Sequence, residues 1–202
     1  MKNVMKLAVL FPGIGYNGDR PLLYYGRKLA EKNGYACKVL PYVYKGDRHI
    51  RGNVQKMEEA FQELYVQAQE YLADVDYESY DEVLFVSKSV GTVIAASYAK
   101  KLRGNGILYG SGEKAKLRHI LYTPLEYTFR YEPENAVGFL GTADPWCVPE
   151  DVIRIAKEQN VPMHIYEGAD HSLETGDVSA DLKILKDVME KTAAFICGAE
   201  GT

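Results

Sequence analysis

Six short apolar runs punctuate the chain, and most lead into a stretch with helical periodicity. The runs are KLAVLF (6–11), YACKVLPYVY (35–44), EVLFVS (82–87), HILYTPL (119–125), AVGFLGT (136–142) and VPMHIYEG (161–168). Val54, Met57, Phe61, Leu64, Tyr65, Ala68, Tyr71 and Leu72 recur at helical spacing and predict a helix over 53–73. Other helices are predicted from Asp19 to near Gly34, over 90–102, over 149–159, and at the C-terminus on Leu182, Leu185, Val188, Met189, Phe195 and Ile196. Asp19 is placed to cap the first of these, and Pro21 suits its first turn. Strand followed by helix, repeated, means βα units and a parallel sheet. Right-handed crossovers then make an α/β fold: a doubly wound, mostly parallel sheet of about six strands, with helices on both faces. The 202 residues suit a single domain, 1–202, and the glycine-rich stretch 103–116 reads as a surface loop.

Composition removes several function classes. A net charge of -4 argues against a general nucleic-acid binder. Cys37, Cys147 and Cys197 are far apart and show no metal-ligand spacing, which suits reduced thiols and a cytoplasmic location. The run Leu7–Phe11 is too short for a signal peptide. No segment approaches the roughly 18–20 apolar residues that cross a bilayer, so no membrane association is expected. Sixteen tyrosines against six phenylalanines hint at half-wet positions such as pocket rims. Oligomeric state is not legible.

In such a sheet, ligands bind outside the carboxyl edge of the strands. Four features lie there. Ser89, in Ser87-Lys88-Ser89-Val90-Gly91, stands between a strand and a helix, as in a G-x-S-x-G nucleophile elbow with serine for the first glycine. Its plain alternative is a helix N-cap. Asp144, in GTADPWCVP, follows the fifth strand and could orient an imidazole or simply serve a turn beside Pro145. His171, in EGADHSLE, is the one histidine of four at a carboxyl end; His119 and His164 fall in strands and His49 in a polar loop. No two have metal-ligand spacing, so no metal site is expected. The loop FPGIGYNG (11–18) offers backbone N–H groups. Its Gly13, Gly15 and Gly18 also match the G-x-G-x-x-G spacing of a dinucleotide site, but no acidic residue ends the second strand. Ser, Asp and His therefore occur in that order, each just past its own strand, behind a glycine loop.

On these motifs the sequence resembles the α/β-hydrolase superfamily, over nearly the whole chain from Leu7 to Ile196. SKSVG resembles its elbow, GTADPWCVP its acid loop, GADHSLE its histidine loop and FPGIG its oxyanion loop. The likeness is to small lidless serine hydrolases and dienelactone-hydrolase-like proteins, although dienelactone hydrolases use cysteine where Ser89 stands. The two strands that usually precede the oxyanion loop are not expected.

The resemblance implies hydrolysis of an ester, thioester or amide, with no cofactor. Ser89 would be nucleophile, His171 base and Asp144 its partner, with Glu126 the runner-up acid; the N–H groups of Ile14 and Val90 would form the oxyanion hole. Activity would rise through a histidine pKa of about 6.5. Tyr16, Asn17, Lys88, Tyr127, Phe129 and Trp146 are candidates to line the pocket, Lys88 by attracting an acidic substrate. With no lid, a small soluble ester-like molecule is the expected substrate. A non-catalytic ligand-binding protein of the same fold is the alternative, with a nucleotide-binding protein after it.

Overall fold

The structure, a computed structural model, describes residues 4–47, 49–107 and 116–198. Its elements run β1 (Lys6–Phe11), α1 (Pro21–Lys32), β2 (Ala36–Val39), α2 (Val54–Leu72), β3 (Glu82–Lys88), α3 (Val90–Gly104), β4 (Lys116–Tyr122), β5 (Ala136–Gly141), α4 (Pro149–Glu158), β6 (Met163–Tyr166) and α5 (Val178–Ile196). Short 3-10 segments cover Tyr77–Ser79 and Glu126–Tyr131. All six strands are parallel, in the order β2-β1-β3-β4-β5-β6.

The strands read as unbroken apolar runs because both faces of the sheet are covered. In β1, Leu7, Val9 and Phe11 pack with α2 and α3, whereas Ala8 and Leu10 pack with α1 and α5. Leu121, Ala136 and Leu140 meet Val152 and Ala156 of α4. The buried guanidinium of Arg118 donates to the carbonyls of Phe195 and Ile196, so β4 holds the end of α5.

The connection turns back at β1: α1 leads to β2 on one side and α2 returns to β3 on the other. That reversal leaves a crevice above the carboxyl ends of β1 and β3. The loop 12–18 and Ser89 flank it.

Three local expectations change. The second strand ends at Val39, not residue 44. Leu40 N–H still reaches the Leu10 carbonyl, but Pro41 has no N–H to continue the ladder. Beyond it, the side chains of Gln67 and Glu63 bond the backbone of Val43 and Lys45. Asp19 does not cap α1; Arg20 is the N-cap residue, and the orphan N–H of Leu22 donates to the Tyr16 hydroxyl at 3.1 Å. In the stretch 103–116, α3 continues through Gly104, and 108–115 lie outside the described residues.

Gly91 sets how closely α3 approaches β1. A Cβ there would lie 2.2 Å from the carbonyl oxygen of Phe11 and 2.6 Å from that of Pro12. Both obstacles are backbone, so neither can swing aside. Gly91→Ala is expected to lower stability by about 2 kcal/mol or more, at the upper part of the overpacking range. Gly104→Ala, at the exposed end of the same helix with open space around it, is expected to be neutral or to add about 0.5–1 kcal/mol. Urea denaturation of the two variants checks the contrast.

Candidate active site

Ser89 has φ 57° and ψ -129°, a left-handed conformation that costs a non-glycine residue about 1–3 kcal/mol. Its surroundings hold it there. Its N–H donates to the Tyr122 carbonyl at 3.0 Å, and its own carbonyl accepts from Thr92 N–H at 2.8 Å and Thr92 Oγ1 at 2.7 Å. Its hydroxyl makes no capping bond to α3, so the N-cap reading does not describe it. Ser87, where the elbow motif has glycine, is buried, and its hydroxyl donates to the Ile120 carbonyl at 3.0 Å. That bond lets a polar side chain occupy the position without an unpaired group.

The other two predicted residues meet Ser89. Two neighbouring loops carry them: Thr142 N–H donates to Tyr166 O, Ala143 N–H to Ala169 O, and Gly168 N–H to the Thr142 hydroxyl. Gly141 permits this, since a Cβ there would sit 2.0 Å from the Ala169 carbonyl oxygen. His171 Nε2 then lies 2.7 Å from Ser89 Oγ, and His171 Nδ1 lies 2.7 Å from Asp144 Oδ2. A carboxylate only accepts, so Nδ1 carries the proton and Nε2 is free to accept from the serine hydroxyl. The second Asp144 oxygen accepts from Trp146 N–H at 2.9 Å. This arrangement can take a proton from a hydroxyl as it attacks an electrophile.

Glu126, the runner-up acid, is engaged elsewhere: its carboxylate accepts from Val148 N–H at 2.6 Å and braces the entry to α4. Asp170 accepts from the amides of Ser172 and Glu174, which folds the histidine loop back on itself.

Lys88 departs most from expectation. It does not stand at the mouth of the elbow. It is 1 % exposed, and its ammonium lies 4.9 Å from the centre of the Tyr16 ring. Burial pulls its pKa down to about 7, against the opposing pull of the Asp144 and Asp170 carboxylates. The pKa of His171 is lowered too, first by burial and then by the Lys88 charge, while Asp144 works the other way. Tyr16, with its hydroxyl committed to α1, is pushed up to about 12 by burial.

The glycine loop crosses directly beside the serine. A Cβ on Gly13 would lie 3.1 Å from Ser89 Cβ and 3.2 Å from the Lys88 carbonyl oxygen. The loop is closed by paired bonds between Gly13 and Tyr16, and the Tyr42 hydroxyl anchors it by donating to Pro12 O at 2.7 Å. Among the described residues, the N–H groups of Ile14 and Val90 take no part in backbone hydrogen bonds.

A cavity of about 220 Å³ opens over Ser89 and His171. Ile14, Tyr16, Tyr127, Trp146 and part of Lys88 line it, as does Val90. Asn17 does not; it faces a separate hollow on the far side of the glycine loop. Phe129 is buried against α4 and also stays out. Cys147 is half-buried, with its thiol pKa raised by burial. Part of the wall was not anticipated: Ile50, Val54, Met57 and Phe61 from α2 and the segment before it, Val93 from α3, Leu125 just before the 3-10 segment and Tyr131 at its end. The apolar spacing of α2 carried the only signal, and it reads the same for a core face as for a cavity wall. A Thr92–Thr128 hydroxyl pair at 2.6 Å fastens the 3-10 segment to the elbow. Among the described residues, no cluster of three His, Cys, Asp or Glu could hold a metal, and no helix is long and apolar enough to cross a membrane.

Solved structures share this architecture. A lidless α/β serine hydrolase from Xanthomonas campestris superposes with a TM-score of 0.64 at 13% identity, over 99% of this chain and 85% of that one. An esterase from Pyrococcus furiosus matches with a TM-score of 0.64 at 12% identity, over 98% of this chain and 85% of that one. Est1E from Butyrivibrio proteoclasticus, with ferulic acid bound, matches with a TM-score of 0.64 at 11% identity, over 97% of this chain and 90% of that one. No family model matches the sequence, and no curated protein is significantly similar to it. The chain has the α/β-hydrolase fold, and the described residues form no lid domain.

The lowered pKa of His171 has a direct readout. Its imidazole is expected to titrate, by NMR, below the ordinary histidine value of about 6.5. Lys88→Met keeps the side chain apolar and long but removes the cation, so the His171 pKa should rise. A downward or absent shift would mean that the Lys88 charge is not felt at the imidazole.

Proposed function

We propose that this chain is a serine hydrolase that cleaves an ester or thioester through an acyl-enzyme. The observation that carries the reading is the hydrogen-bonded line from Ser89 through His171 to Asp144, on a strained turn at the carboxyl edge of the sheet. The hydrolases and esterases among the structural neighbours support the same general chemistry.

In this mechanism Ser89 Oγ attacks the acyl carbon while its proton passes to His171 Nε2. The carbonyl oxygen becomes an oxyanion, held by the N–H groups of Val90 and Ile14. Asp144 keeps Nδ1 protonated and stabilises the imidazolium. The tetrahedral intermediate collapses, the bond to the leaving oxygen or sulfur breaks, and His171 returns the proton to it. Water then gives a proton to His171 and its oxygen to the acyl carbon. The second collapse releases a carboxylic acid and restores the Ser89 hydroxyl. Each oxyanion donor of this kind is worth about 3 kcal/mol of barrier.

The imidazole must be neutral to act as base. Because its pKa is lowered, the acid limb of the rate profile falls below the pKa of about 6.5 of a free histidine.

Labelling by a fluorescent fluorophosphonate, with hydrolysis of p-nitrophenyl butyrate, tests the proposal. Wild type should label and turn over. Ser89→Ala should lose labelling and at least about 10⁴-fold in kcat, and Asp144→Asn about 10³–10⁴-fold. Glu126→Gln should keep kcat near wild type. A folded wild type that neither labels nor turns over would leave a ligand-binding protein of the same fold.

A further inference from the structure

We propose, resting on the hydrolase reading, that the cavity between α2 and α3 is the acyl pocket and takes an uncharged apolar acyl group of roughly phenyl bulk. The substrate class is then an ester or thioester of a medium-chain or aryl-substituted acid, not an acetate or a half-ester of a dicarboxylic acid. This replaces the expectation of a small soluble substrate, which rested on the lack of a lid. The first half of α2 encloses the serine instead.

The walls give the chemistry. Met57 and Phe61 lie on one face of α2, four residues apart, and face Val93 of α3 across the cavity with Leu125 and Tyr131. The Phe61 and Tyr131 rings stack at 6.2 Å and 25° and form an aromatic wall. None of these side chains carries a charge. Glu58 and Arg130 also line the cavity, but both are exposed side chains. The buried cation among the lining residues, Lys88, is covered by the Tyr16 ring. A carboxylate carried in on the acyl chain would lose its water among the apolar walls, and the exposed Arg130 would be a weak, solvent-screened partner for it. An apolar cavity of about 150 Å³ is enough to hold benzene, so 220 Å³ holds a ring with a short linker, or a chain of similar bulk.

The sheet order assigns the acyl side. His171 and Asp144 come from loops after β6 and β5, on one side of Ser89. The leaving group must depart on the His171 side, because His171 returns the proton to it. Trp146, 5.7 Å from the imidazole between ring centres, flanks that exit. The α2 wall packs over the β1–β3 half of the sheet, so the part of the substrate that stays on Ser89 points there.

A p-nitrophenyl ester series from acetate to decanoate, with phenylacetate and monosuccinate, tests the assignment. In wild type, kcat/KM should climb about three- to fourfold per methylene until the cavity is full, with phenylacetate well above acetate and monosuccinate below butyrate. Met57→Trp should shift the optimum to shorter chains and cost hexanoate about tenfold more than acetate. Met57→Ala should shift it to longer chains. Neither should alter the ranking of butyrate esters of different alcohols. Fluorophosphonate labelling of both variants shows that fold and nucleophile are intact. A flat acyl profile, or an optimum that both variants leave in place, overturns the pocket while labelling keeps the hydrolase reading. A shift confined to the alcohol series overturns the assignment of sides. Should wild type prove inactive, calorimetry on the folded protein decides: hexanoate esters should bind more tightly than acetate, and Met57→Trp should abolish the difference. Equal binding in both proteins overturns the pocket.

Discussion

The approach of α3 to the end of β1 is the constraint on which the rest depends. With only hydrogen at Gly91, the helix seats against the carbonyls of Phe11 and Pro12. That contact fixes the elbow beside the glycine loop, where Gly13 is less severely confined, a Cβ there meeting Ser89 Cβ at 3.1 Å and the Lys88 carbonyl at 3.2 Å. One steric condition thus places the serine directly beside the glycine loop. The same condition recurs at Gly141, where the acid loop comes within reach of the histidine loop. The site is positioned by close backbone packing more than by the side chains that give it chemistry.

Much of this was legible because its signals are local. Apolar runs of strand length alternating with α2-type periodicity give a parallel sheet, and the parallel sheet puts Ser89, Asp144 and His171 on one edge. Their convergence needs only the sheet order, which the crossover rule restricts. What escaped was decided by tertiary packing. The residues after Val39 look like strand, yet Pro41 ends the ladder and α2 supplies replacement partners. Lys88 looks like a solvated cation, yet its position under the Tyr16 loop buries it. The Glu126–Tyr131 turn has no periodicity to announce it. Met57 and Phe61 look like core, and nothing in one chain's pattern tells a helix face that meets another helix from one that stops short of it.

The electrostatics of the site show two influences of opposite sign on one imidazole. Asp144 favours the cationic form of His171, while burial and the Lys88 ammonium favour the neutral one. Lys88 bears the cost of this arrangement, since it is buried without a salt bridge to any described residue, and the Tyr16 ring offsets part of it.

The backbone at Ser89 sets stability against chemistry at a single residue. Glycine would adopt its left-handed conformation without the penalty, and serine occupies it with its N–H and carbonyl held by Tyr122 and Thr92. A chain refined for thermal endurance alone would discard the hydroxyl at this position. Serine at this position is one of several side chains, Thr123 and Leu173 among them, on which the fold keeps a positive φ at a cost to its own persistence.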